Sequence, residues 1–264
     1  HSATRRKDGF NPAQDYMPII RNEGQSVLFM QKNAEVRKRL RQDDLGVLDA
    51  NGRQTLPLLA LRHLLQWAKS RDIEVVLFIN PYHSDYLVQI ETSGKWKAFE
   101  QWKRQLTAAA DEYAVPLWDF NAVDPYSTES PPLRNDRQGM LRWYWEPAHY
   151  RAELGDLMLE AMLDAIPDII GVQDGNYRIL RFNKAGYRFF GKSEDQVIGK
   201  RCFELIDQGV PCKDCATRHI LKTNEPAQIE KYIESKKVWM DVRAYPIRDM
   251  DGRVFRIVEH WRDI

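Results

Sequence analysis

Cys202, Cys212, Cys215 and His219 form the spacing with the most chemical content in this 264-residue chain, Cys202-x9-Cys212-x2-Cys215-x3-His219. Thiolates placed close together on a turn can grip one metal ion. A histidine four positions after Cys215 lies one helical turn on, on the same face. Three thiolates and one imidazole make a legitimate structural zinc set. The Cys212/Cys215 pair could instead be a redox dithiol, because a Cys-x-x-Cys at a helix start carries depressed thiol pKa values. An iron–sulfur cluster would want a fourth cysteine, and the chain has 3. The plainer alternative is structural: Cys202 as a small core residue, and Pro211-Cys212 shaping a loop. Three cysteines are too few for a disulfide framework.

The elements that must hold these residues are legible on both sides of them. Downstream, Val238 to Ile247 alternates, with Val238, Met240, Val242 and Ala244 on one face and Trp239, Asp241, Arg243 and Tyr245 on the other. Asp249-Met250-Asp251-Gly252 follows, and then Val254 to Trp261, rich in β-branched and aromatic residues. Period-two alternation closed by Asp-Gly predicts a hairpin. Upstream, Ile169 to Asp174 and Tyr177 to Phe182 read as two strands around a Gly175-Asn176 turn. A short aromatic helix, Gly186 to Phe190, stops at Gly191. Ser193-Glu194-Asp195 caps another helix, with acidic residues where the helix dipole favours them. Asp214 to Lys222 reads as a helix and Ala227 to Glu234 as a third strand. Two strands, several short helices and three strands predict an antiparallel sheet with helices on one side, an α+β arrangement.

IPDIIGVQDGNYRILRFNKAGYRFFGKSEDQVIGKRCFELI resembles the first half of a PAS sensory domain, and VWMDVRAYPIRDMDGRVFRIVEHWRDI resembles its last two strands. The closing Arg262-Asp263-Ile264 is similar to the signature at which PAS domains of bacterial sensor kinases and regulators hand over to a signalling helix. The resemblance covers residues 164–264 and implies a five-stranded antiparallel sheet with a pocket between sheet and helices. It implies a signal-sensing module of a two-component type of protein, which binds a small-molecule ligand or forms a homodimer and relays its state to an output domain beyond Ile264. Phe182, Tyr187, Phe189, Phe190, Trp239 and Tyr245 are the candidate pocket liners, or else plain core. No flavin-type reactive-cysteine motif and no haem histidine is recognisable; zinc at the cysteines is the one cofactor suggested. Similar Pro-Cys-x-x-Cys segments occur in PAS domains, which keeps the structural reading of the cysteines open.

Composition sets outer bounds. The net charge is +1, so no global field recruits nucleic acid or an acidic membrane. No apolar run approaches the ~20 residues of a membrane span. The chain begins at His1 without an initiator Met and stops where a PAS domain usually continues, so it reads as a fragment of a longer protein. Reduced cysteines suit a cytoplasmic setting for the second half.

Residues 1–163 read differently. His1 to Asp8 is a polar, basic end expected to fray. Tyr16 to Leu40 is helical in parts, and Asn51-Gly52 marks a turn. Leu58, Leu61, Leu65 and Ala68 recur at helical spacing within Leu56 to Ser70, with His63 a surface or packed histidine. Glu74 to Ile79 is a continuous apolar run, which predicts a strand buried on both faces. Trp96 to Tyr113 is helical, Val115 to Phe120 a strand, Asp124 to Gly139 a loop and Arg151 to Leu163 a helix. Helix, strand, helix, strand is the α/β rhythm. VVLFINPYH, VPLWDF and WEPAHYRAELGD resemble the C-terminal half of an SGNH-hydrolase-like domain of three-layer α/β architecture. In that family an Asp-x-x-His precedes the last helix; Glu146 and His149 match it, with Glu in place of Asp. The resemblance implies a general base, His149, oriented by Glu146 and acting in an esterase or acyl-transfer reaction. The nucleophilic serine of a Gly-Asp-Ser block has no counterpart, since Ser26 in EGQSV lacks that context, so the domain reads as truncated at its N-terminus. Relatives of this half often act outside the cytoplasm. Packing is the competing reading of WYWEPAHY: three aromatics and a proline bracing the last helix, and His149 in a buried hydrogen bond. The last helix runs into Asp164-Ala165-Ile166-Pro167 without a flexible linker. The junction is either a continuous helix able to pass movement or an accidental join.

Overall fold

The computed structural model describes residue 13, residues 15–42, residue 48, residues 52–249 and residues 251–264. The basic N-terminal end and Asn51 of the expected turn lie outside the described residues. The chain divides into two units, His1–Met158 and Leu159–Ile264.

In the first unit, Tyr16 to Leu40 resolves into α1 (Met17–Glu23) and α2 (Gln25–Leu40), separated by Gly24. The amphipathic run forms α3 (Leu56–Lys69), which buries Leu58, Leu65 and Ala68 at the expected spacing. The apolar run after it contributes only β1 (Leu77–Ile79), which pairs in parallel with β2 (Leu117–Asp119). The prediction of burial on both faces fails: Phe78 is 47% exposed, because in this two-stranded sheet only alternate side chains of β1 turn inward. Among the described residues the three-layer architecture expected here reduces to this two-stranded sheet, a second small sheet and helices. α4 (Ser84–Thr92) was not expected. It is capped by His83, whose Nδ1 accepts the Asp85 N–H at 3.1 Å, and it buries Leu87 and Ile90. α5 (Trp96–Tyr113) follows before β2. Then β3 (Tyr144–Glu146) and β4 (His149–Tyr150) form a tight antiparallel hairpin, and α6 (Ala152–Asp164) crosses the boundary between the units.

In the second unit the strands are β5 (Ile169–Asp174), β6 (Ile179–Phe182), β7 (Ala227–Ile233), β8 (Val238–Arg248) and β9 (Val254–Asp263). They form one antiparallel sheet in the order β6-β5-β9-β8-β7. Between β6 and β7 lie α7 (Lys184–Phe190), α8 (Glu194–Val197), a 3-10 turn (Cys202–Ile206) and α9 (Ala216–Thr223). One face of the sheet carries the core: Ile169, Ile179, Met240, Val242, Ala244, Ile257 and Trp261 are all buried. Burying a side chain of this size contributes roughly 1.5–3 kcal/mol.

Two glycines set the depth of that core. A Cβ on Gly171 would stand 2.6 Å from Phe182 Cε1, and one on Gly186 would stand 2.7 Å from Phe182 Cγ. The Phe182 ring therefore rests directly on β5 and α7, and stacks on Phe190 at 5.3 Å. Beside it, Asn183 is a buried knot. Its Nδ2 donates to the carbonyls of Leu163, Ile166 and Asp168, at 3.0, 3.2 and 2.9 Å. Its Oδ1 accepts the N–H of Ile170 and of Gly186, at 3.0 and 3.1 Å. One side chain thus ties the end of α6, the start of β5 and the first turn of α7.

Candidate functional site

Sheet register decides which side chains enter the interior of the second unit. β5 turns Ile169, Gly171 and Gln173 inward, and β9 turns Ile257, Glu259 and Trp261 inward. Glu259 is flanked across the sheet by Gly171 and Ala244, two residues too small to cover it. A carboxylate 6% exposed at the centre of a sheet needs donors, and it has two. The Thr217 hydroxyl of α9 donates to Oε1 at 2.7 Å, and the Trp261 indole N–H donates to Oε2 at 3.0 Å. Gln173 Nε2 in turn donates to Thr217 Oγ1 at 2.5 Å. The remaining oxygen of Gln173, Oε1, is fully buried and has no hydrogen-bond partner. A buried acceptor left unmade costs about 1–3 kcal/mol, so this atom marks a place where a donor would be favoured.

A cation completes the cluster. β7 turns Lys231 toward the same face, with its Nζ 4.3 Å from the centre of the Trp261 ring and 4.0 Å from Cys212 Sγ. Trp261 therefore holds the carboxylate by its N–H and the ammonium by its ring. It also lines an open cavity of about 350 Å³, with Ile169, Phe189 and Met240 as apolar walls and Asp168 and Arg188 at the sides. At the edge of that cavity Asp168 accepts His260 Nε2 at 2.7 Å and Arg262 Nε at 3.1 Å, joining the start of β5 to the end of β9. Burial works against ionisation of Asp168, but these two hydrogen bonds outweigh it and hold its carboxyl below the usual range.

The predicted liners divide. Phe189 lines the cavity, while Phe182 and Phe190 are buried core. Tyr187 packs half-buried against that core, its hydroxyl 3.4 Å from the Phe182 N–H. Trp239 and Tyr245 do not face the interior: they are 52% and 47% exposed on the opposite face of the sheet, as the alternation of β8 requires. Trp239 stacks there, tilted, on Tyr232 at 5.6 Å.

The expected zinc set is not assembled. Cys215 caps α9, its Sγ accepting the Arg218 N–H at 3.4 Å, and His219 is exposed. Among the described residues no group of three or more His, Cys, Asp or Glu side chains is placed to hold a metal ion. A reactive dithiol fares no better. Burial pushes the Cys202 thiol up, with Glu259 and Cys215 adding to it, and burial likewise raises Cys215. A nucleophilic thiol at Cys215 needs the opposite shift. Cys202 and Cys212 instead pack against the core.

In the first unit Glu146 and His149 do come together. They face each other across the two-residue turn of the β3–β4 hairpin, rather than at a loop-to-helix junction. Glu146 is buried; Oε1 meets His149 Nδ1 and Oε2 accepts the Ala148 N–H at 2.9 Å. Gln25 of α2 fixes the hairpin by donating to the carbonyls of Tyr144 and Trp145 at 2.7 and 3.0 Å. The hydrogen bond to Glu146 raises the His149 pKa, against burial and the positive charges of Lys32 and Arg39. Tyr16 donates to Glu146 at 3.4 Å, and its hydroxyl is pushed up to about 12 by burial and by that carboxylate. Among the described residues the small cavity around the pair, about 90 Å³, is lined by Tyr16, Lys32, Glu35, Arg39 and Tyr86 but by no serine; Ser26 on α2 is not among its liners.

Comparison with known proteins addresses the second unit. A family model described as the PAS fold matches residues 163–264. These residues form a PAS domain. The chain is similar to the PAS domain of BvgS from Bordetella pertussis, with 21% identity over 43% of this chain and 88% of that one and a TM-score of 0.34. It is also similar to the PAS domain of nitrogen regulation protein NR(II) from Vibrio parahaemolyticus, with 15% identity over 40% of this chain and 98% of that one, TM-score 0.34. A third is a sensory box sensor histidine kinase from Vibrio cholerae, with 14% identity over 43% of this chain and 94% of that one, TM-score 0.34. No curated protein matches the chain. PAS domains are typical of signal-sensing modules. No helix among the described residues is long and apolar enough to cross a membrane.

The interior network of this PAS domain was missed by sequence reasoning. Gln173, Thr217, Lys231 and Glu259 had one available signal. Gln173 and Glu259 fall at every second position within runs whose other inward members are apolar, where a polar residue must have a purpose or a partner.

Proposed function

We propose that the PAS domain senses a small polar molecule held between its sheet and helices and relays its presence through β9 to an output domain beyond Ile264, in a sensor-kinase type of protein. The observation that carries this reading is the unpaired Gln173 Oε1 at the end of the buried Gln173–Thr217–Glu259 chain. A ligand donor, a hydroxyl or an amine, would satisfy that oxygen; the 350 Å³ cavity meets the network only at Trp261, the partner of Glu259, and Gln173 is not among its liners. Ligand binding signals only if one arrangement of α9 against the sheet binds it more tightly than another. Thr217 sits on α9 and Glu259 on β9, so a donor that re-pairs this chain acts on both elements at once.

A thermal-shift screen of the full chain against small alcohols, amines and amino acids tests the reading. A molecule that stabilises the PAS transition in the wild type and not in Gln173→Leu supports it. Equal stabilisation of both proteins, or none from any compound, overturns it.

A second reading is favoured by the outer face of the same sheet. Tyr232, Trp239, Tyr245 and Phe255 are large and exposed there, and such a patch suits pairing with a second copy of this chain.

A further inference from the structure

A cavity of about 490 Å³ lies within the first unit, and its reading is independent of that of the PAS domain. Its walls are Leu58 and Leu61 of α3, Tyr82 and Tyr86 around the start of α4, and Phe99 and Trp102 of α5. Leu40, Ile90 and Leu106 extend the apolar surface. The volume lies within the ~300–1,000 Å³ of ordinary small-molecule sites. Among the described residues its one charged liner is Lys95, half-buried just before α5. No carboxylate among the described residues lines the cavity. Among the described residues the Lys95 ammonium makes no ion pair, although its backbone N–H is bonded to Ile90 at 3.0 Å. An ammonium at the edge of an apolar cavity attracts an anionic group and repels a cationic one, while the walls reward an uncharged body.

The cavity adjoins the small polar one around His149. Tyr86 lines both, and Val36 and Leu40, one turn apart on α2, line one each. There the cations Lys32 and Arg39 stand beside the carboxylates Glu35 and Glu146, and Lys32 is paired to Glu35 at 2.9 Å. The cation available to an acidic head in the apolar cavity is therefore Lys95.

We propose that this cavity binds an amphipathic carboxylate, a fatty acid of medium chain length, with its chain against Leu58, Leu61 and Phe99 and its head on Lys95. No covalent step is involved.

Isothermal titration of the full chain with laurate, below its micellar concentration, and with dodecanol tests this. The wild type is expected to bind laurate more tightly than dodecanol. Lys95→Gln is expected to weaken laurate roughly tenfold and leave dodecanol unchanged, the signature of one charge-assisted contact. Ala98→Phe, which adds a ring at the cavity wall on α5, is expected to lose both ligands while circular dichroism stays unchanged. Absence of laurate binding in the wild type would overturn the proposal. So would a Lys95→Gln protein that binds laurate as the wild type does, or one that loses both ligands alike.

Discussion

His149 shows how one buried carboxylate sets the chemistry of a neighbouring imidazole. The buried Glu146 carboxylate raises its pKa, so the imidazolium persists above its ordinary value of about 6.5. For a group whose folded pKa is raised, the stabilisation is fully present below the unfolded value and is lost as pH rises through the folded one. NMR titration of the His149 ring is expected to show a midpoint above the ordinary histidine range, and Glu146→Gln is expected to lower it. An unchanged midpoint in that variant would mean that the hydrogen bond is not the cause. The spacing of the pair was readable from the sequence through a resemblance. That no serine among the described residues lines its cavity was not, because liners such as Tyr16, Lys32 and Tyr86 are distant from the pair in the chain.

At the scale of elements, the PAS half was the more legible. β5 runs over the residues expected of it, and β8 extends one residue beyond its predicted end, because strict alternation leaves one register with a buried face. Trp239 and Tyr245 show the limit of listing aromatics as pocket liners: the same alternation already placed them on the face away from Val242. α4 was hidden because Asn80-Pro81 reads as a break, and its cap is a histidine, His83, rather than the usual Ser or Asp. Asn183 was seen as part of a turn, but its five hydrogen bonds reach three elements and could not be counted from sequence. Asn183→Ala is expected to destabilise the PAS transition by about 3 kcal/mol, from the lost cap and the buried groups left unpaired. Urea unfolding of the full chain followed by near-ultraviolet circular dichroism measures it. A change under about 0.5 kcal/mol, the range of ordinary surface substitutions, would contradict the role given to this residue.

At the scale of the molecule, the two units were separable in the sequence by their rhythms, α/β before Leu163 and strand-rich α+β after it. The interior network was not separable from the core pattern. A lone Gln or Glu in an otherwise apolar strand face acquires meaning only when register brings Gly171 and Ala244 alongside and α9 places Thr217 above. The account of the PAS domain as a sensor rests on that network. Native mass spectrometry of the full chain, compared with its denatured mass, tests it most directly. The account predicts an excess mass of organic size that is released on denaturation and is absent from Gln173→Leu. A bare mass in the wild type, as monomer or as dimer, or a metal-sized excess lost in Cys212→Ser, would contradict it.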